Sequence, residues 1–147
     1  MDKLTLLPLT EQDVKQVLRL ESERFPLAPY SEDGVRICLK SPTEKALVLW
    51  LNDKIVGYIM FSVTEYEGEI FRLAVFKEYE GHHYGTMLLE AAHKYMQDLK
   101  IPVSFLEVRK SNQRAIGLYT KAGYELYRVR KCYYSNMEDA NCMKKGL

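Results

Sequence analysis

Residues 69–99 constrain this chain more than any other stretch. EIFRLAV (69–75) is a β-rich apolar run, YEGHHYG (79–85) a glycine-containing turn and TMLLEAAHKYM (86–96) an amphipathic segment. Leu88, Ala91, Ala92, Tyr95, Met96 and Leu99 fall at i, i+3, i+4, i+7, i+8 and i+11, one apolar stripe that predicts a helix. A strand that turns into a helix this way implies a sheet with helices packed on it. The turn presents unpaired N–H groups at the positive end of a helix dipole, which suits an anion. Gly81 and Gly85 let a ligand approach with no Cβ in the way. A glycine turn alone is a weak signal, and a plain connection is its ordinary reading.

His82 and His83 do not make this turn a metal site. Neighbouring side chains diverge, and no His or carboxylate follows at the i+3 or i+4 spacing of a helical ligand pair. A catalytic base also needs a partner to orient it, so both are read as exposed turn residues.

The remaining segments fill in the architecture. LTLLPL (4–9) leads to Thr10, an N-cap with Asp13 three residues on, and Val14, Val17, Leu18 and Glu21 mark the turns of a first helix. FPLAPY (25–30) ends it, and Ser31 caps a short second helix weakened by Gly34. KALVLWL and KIVGYIMFSV, joined by Asn52-Asp53, read as a hairpin. After Pro102, VSFLEV is a strand. Asn112 caps a helix with Ala115, Leu118, Tyr119 and Ala122 on one face, and Gly123 closes it. YELYRVRKCYY and DANCMK read as two final strands around a short turn. The order β-α-α-β-β-β-α-β-α-β-β predicts an α/β (α+β) fold, a mixed, mostly antiparallel sheet of about seven strands with about four helices.

At 147 residues, 47% apolar and 28% charged, the chain reads as one soluble domain, residues 1–147. A net charge of +1 gives no field for nucleic acid or membrane, and no segment resembles a signal peptide or a membrane span. Three scattered cysteines, Cys38, Cys132 and Cys142, exclude a disulfide framework and a structural zinc site. A cytoplasmic location and a monomer or homodimer are expected. Glu107 lies between Leu106 and Val108 and points to the opposite face from both. A solvent-facing glutamate is its bland reading, as a core aromatic is for Tyr119 and strand aromatics are for Tyr133 and Tyr134.

Together these segments resemble the GNAT N-acetyltransferase superfamily, and within it the bacterial ribosomal-protein-alanine N-acetyltransferases. LEVRKSNQRAIGLYTKAGY is similar to that family's L-E-V-R-x-S-N-x-x-A-I-x-L-Y-x-x-x-G-[FY], and RKCYY with EDA is similar to its R-x-N-Y-Y and E-D-A ending. The likeness is strong over residues 69–140 and loose before them. It implies acetyl-CoA as co-substrate, with Leu73, Ala74 and Val75 facing its pantetheine arm and the main chain of Gly81, His82, His83, Tyr84, Gly85 and Thr86 holding its pyrophosphate. Asn112 would lie near the pantetheine, Glu107 would be the general base and Tyr119 the general acid. Phe25, Tyr30, Tyr133 and Tyr134 would line the acceptor groove, for a protein or peptide N-terminus such as that of a ribosomal protein. A small-molecule amine acetyltransferase and a catalytically silent binding module are the alternatives.

The loop departs from the family's [QR]-x-x-G-x-[GA]: Glu80 replaces the Gln or Arg, and His83 the first glycine. A glutamate beside a pyrophosphate is expected to repel it, although salt screens an exposed charge heavily. A β-carbon at a position needing positive φ costs about 1–2 kcal/mol. His83→Gly is therefore expected to tighten CoA binding in calorimetry; an unchanged or lower affinity contradicts this account of the loop.

Overall fold

A computed structural model describes residues 1–147. Seven strands form one sheet: β1 (Leu4–Pro8), β2 (Glu44–Leu51), β3 (Lys54–Val63), β4 (Gly68–Val75), β5 (Val103–Arg109), β6 (Glu125–Arg130) and β7 (Ala140–Gly146). Four α-helices accompany them: α1 (Val14–Arg24), α2 (Glu32–Arg36), α3 (Tyr84–Asp98) and α4 (Gln113–Lys121). The expected element order is the observed one. Strands lie in the order β1-β2-β3-β4-β5-β7-β6 and are antiparallel except for β4 and β5.

Local signals act where the sequence puts them. Asp13 Oδ2 accepts from the Thr10 N–H at 2.9 Å, closing the turn into α1. Asn52 takes positive φ (56°) in the β2–β3 turn. Asn112 Oδ1 accepts from the Ala115 N–H at 3.1 Å, and Gly123 leaves α4 at φ 103°.

Each face of the sheet carries its own core. Leu88, Leu89, Ala92 and Met96 of α3 pack with Ile59, Phe61, Ile70 and Leu106 on one side, with Tyr119 and Tyr124. Val14, Val17 and Leu20 of α1 pack with Val48, Tyr58, Met60 and Ala74 on the other. β3 is therefore buried on both faces. No helix is long and apolar enough to cross a membrane.

Two expectations need correction. Leu99 ends the apolar stripe in sequence but caps α3 from outside and is 54% exposed. β6 stops at Arg130, so Tyr133 and Tyr134 lie in the loop between β6 and β7, not in a strand. That loop turns through left-handed Cys132 (φ 51°) and Met137 (φ 68°), and Asp139 Oδ1 accepts from the Cys132 N–H at 2.9 Å.

Between β4 and β5 the sheet comes apart. They pair only at Gly68–Ser104, Glu69–Phe105 and Ile70–Leu106. Against β3, Ile70 pairs with Phe61 and Arg72 with Met60, so Phe71 is an extra residue, a bulge that bends β4 away. β5 meanwhile stays paired with β7 up to Arg109.

A second buried feature tunes stability. His93 Nε2 lies 2.7 Å from the Tyr124 hydroxyl, which lies 2.8 Å from Ser104 Oγ. Burial, with a contribution from Lys145, lowers the His93 pKa from 6.5 to about 4. The folded state keeps this ring neutral while the unfolded chain protonates it. Its contribution to stability is thus full above about pH 6.5 and is lost as pH falls through about 4. Urea unfolding should show stability declining by up to about 1.4 kcal/mol per pH unit across that window. His93→Gln should flatten the decline, and a flat wild-type profile contradicts the assignment.

Candidate active site

The parting of β4 and β5 opens a cavity of about 350 Å³. Its walls include Leu73 and Val75 of β4, the loop through Glu80, Gly81, His83, Tyr84, Gly85 and Thr86, and Asn112, Leu118 and Tyr119 at α4. Arg24 and Phe25, at the end of α1, reach it from the other layer. Strand geometry explains which backbone groups face it. The Phe76 N–H donates to Val56 O at 2.9 Å, on the β3 side. Hydrogen-bonding direction alternates along a strand, so Leu73 and Val75 turn their N–H and C=O toward the gap. Ala74 points its own toward β3, and its side chain is buried in the α1-side core.

The loop before α3 is built for close approach. Gly81 (φ 86°) and His83 (φ 63°) are both left-handed, so the position where His83 replaces glycine does demand positive φ. The His82 ring stacks on Tyr84 at 5.4 Å and does not line the cavity. Glu80 corrects the expectation of a bare repulsive charge: its carboxylate lies 2.7 Å from Arg24 Nη2 and 2.7 Å from Arg114 Nη1. Hydrogen bonding to Arg114 is the main reason its pKa is lowered.

Tyr119 is 8% exposed, and burial pushes its pKa up to about 12, so it stays protonated at neutral pH. Glu107 is not in the cavity wall. It faces the side of the sheet away from Leu106 and Val108, where Arg130 Nη1 donates to its Oε1 at 2.7 Å. The Tyr133 pKa is raised by the adjacent Glu107 carboxylate, and Tyr134 is pushed to about 12 by burial and then Glu107. Arg130 lies over the Tyr133 ring at 4.2 Å and Arg109 over the Tyr134 ring at 4.0 Å.

Phe25 and Tyr30 are held by Glu21, read from the sequence only as marking a turn of α1, and by Arg72, which the sequence did not single out. Glu21 is wholly buried and accepts from Arg72 Nη2 at 2.9 Å, the Tyr30 N–H at 2.8 Å and the Tyr58 hydroxyl. Arg72 also donates to Ala28 O at 2.7 Å, with its guanidinium 3.7 Å from the Phe25 ring centre and 4.4 Å from that of Tyr30. One arginine on the bent part of β4 thus fixes three points of the 25–30 loop. The available signal was Glu21 on the apolar face of α1, an acid where a core residue belongs.

The Acetyltransferase (GNAT) family profile matches residues 13–124. An N-alpha-acetyltransferase of Saccharolobus solfataricus is 32% identical, over 92% of this chain and 88% of that protein. The crystal structure of the ribosomal-protein-S18-alanine N-acetyltransferase from Escherichia coli superposes with a TM-score of 0.89 at 26% identity, covering 98% of this chain and 94% of that one. Arabidopsis thaliana Naa50, in complex with the bisubstrate analogue CoA-Ac-MVNAL, shares the fold with a TM-score of 0.85 at 22% identity, covering 98% and 99%.

Removing one partner of the Glu21–Arg72 pair strands a buried charge. Arg72→Met should cost about 3–5 kcal/mol in urea unfolding, and adding Glu21→Gln should recover part of it. A loss under about 1 kcal/mol for Arg72→Met would mean that the pair does not hold the loop.

Proposed function

Because the chain belongs to the GNAT acetyltransferase family, we propose that it transfers the acetyl group of acetyl-CoA to a protein or peptide N-terminal amine. The observation that carries this reading is the split sheet. A cavity framed by α3, α4 and unpaired β4 backbone has Phe25 in its wall, Tyr30 packs in the α1-side core, and Tyr134, beside Tyr119, joins the cavity to the cluster of Glu107 and Tyr133. An extended peptide fits a face rimmed by aromatic rings and two loops better than a small amine does.

The Leu73 and Val75 backbone would pair with the amides of the pantetheine arm as a further strand does. Main-chain N–H groups from Gly81 to Thr86, at the start of α3, would hold the pyrophosphate. Asn112 has its Oδ1 engaged as the α4 cap, which leaves its side-chain amide N–H groups for the cofactor.

The chemistry follows from charge. An α-ammonium has a pKa of about 7.7–8.0 and must lose a proton before it attacks. Glu107, directly or through a water, accepts that proton. The amine nitrogen then bonds to the thioester carbon, and the oxyanion meets the Val75 N–H, which faces the gap. As the tetrahedral intermediate collapses, the C–S bond breaks and Tyr119 protonates the departing thiolate, while the nitrogen, cationic after attack, releases its second proton to water, from which the phenol is restored. A phenol held protonated by burial suits that role.

Thiol release from acetyl-CoA with peptides of different N-termini tests this directly. Turnover on at least one peptide is expected. Glu107→Gln should lower it by roughly 10²–10⁴-fold with CoA affinity unchanged. Turnover confined to a polyamine or amino sugar would transfer the assignment to a small-amine enzyme. Absence of CoA binding at millimolar concentration would leave a silent module.

A further inference from the structure

Arg24, Glu80 and Arg114 line the same cavity, yet they come from three elements: the end of α1, the loop before α3 and the first turn of α4. Glu80 spans the two arginines with one oxygen for each, both contacts at 2.7 Å. The Arg24, Glu80 and Arg114 side chains are 29%, 24% and 67% exposed, so solvent reaches every member. Ion pairs that solvent reaches contribute little to stability, so opening one costs little. A guanidinium binds carboxylate and phosphate through the same planar fork, and phosphate carries more charge. Glu80 also stands one residue before Gly81, where the anion loop begins. The trio therefore holds two cations beside the anion loop, both engaged by an internal acid.

We infer that Arg24 and Arg114 are phosphate ligands for the nucleotide end of the cofactor, and that Glu80 occupies them as an internal competitor until those phosphates arrive. The inference rests on the cofactor reading above and goes beyond it, because main-chain N–H groups alone would need neither arginine. It accounts for a glutamate at a position that faces an incoming polyphosphate. Two arginines neutralise it before binding, and binding exchanges one anion for another. The exchange reduces the net gain from each phosphate contact, so this chain holds CoA less tightly than its two arginines would allow.

Calorimetry with CoA, dephospho-CoA and pantetheine tests the exchange in four proteins: wild type, Glu80→Gln, the double variant Arg24→Gln/Arg114→Gln, and the triple variant. Circular dichroism establishes that each is folded. Glu80→Gln should bind CoA about three- to tenfold more tightly than wild type. The double variant should bind it more weakly, and in that background Glu80→Gln should give no gain. Pantetheine, which has no phosphate, should bind all four alike, and dephospho-CoA should show how much of the gain needs the 3′-phosphate. Unchanged or weaker CoA binding by Glu80→Gln overturns the competitor role. A gain that survives loss of both arginines overturns the exchange and leaves plain repulsion. Equal CoA affinity in all four discards the inference while the cofactor reading stands; no CoA binding by any of them discards both.

Discussion

The site depends on the parting of β4 from β5. Sheets bury their backbone groups by pairing them, and an unpaired N–H or C=O inside a protein is costly. Here the Phe71 bulge bends β4 after Ile70, while β5 remains tied to β7. The backbone groups of Leu73 and Val75 on that side are left for a partner from outside the chain. The cavity, the loop before α3 and the proposed catalytic side chains are all arranged around this break.

Keeping such a break open requires the surrounding layers to be rigid. α3 packs its Leu88, Leu89, Ala92 and Met96 against one face, and α1 packs Val14, Val17 and Leu20 against the other. The Glu21–Arg72 pair adds a polar tie from α1 to the bent part of β4 and onward to the 25–30 loop. Its setting differs from that of Glu80. A fully buried carboxylate must be satisfied on every side, and Glu21 is, by Arg72, the Tyr58 hydroxyl and the Tyr30 N–H. Glu80 is in contact with solvent, where an ion pair costs little to open. The same chemistry acts as a fixed brace in one place and a replaceable contact in the other.

Much of the fold was legible because it is local. Thr10 with Asp13, Asn52-Asp53, and Asn112 with Gly123 act within a few residues, and each bounds the element that its chemistry requires. The misreadings have equally local causes. Leu99 keeps the helical period but falls where α3 has ended, so it meets solvent. Tyr133 and Tyr134 have strand-like chemistry, but Asp139 and two left-handed residues turn the chain first. The candidate site was legible through resemblance more than through spacing: Glu107 and Tyr119 each have a bland reading when taken alone.

The sequence by itself determined the order of elements, the two amphipathic helices α3 and α4, and the caps and turns that bound them. Each is a property of neighbouring residues: period, capping or backbone sterics. Only the tertiary structure decided that β4 and β5 part after three paired positions, that Glu21 and Arg72 meet across 51 residues, and that Glu80 lies between two arginines. Those facts depend on which strands become neighbours and on which charges burial or proximity forces together, and neither is encoded in any short stretch of the chain.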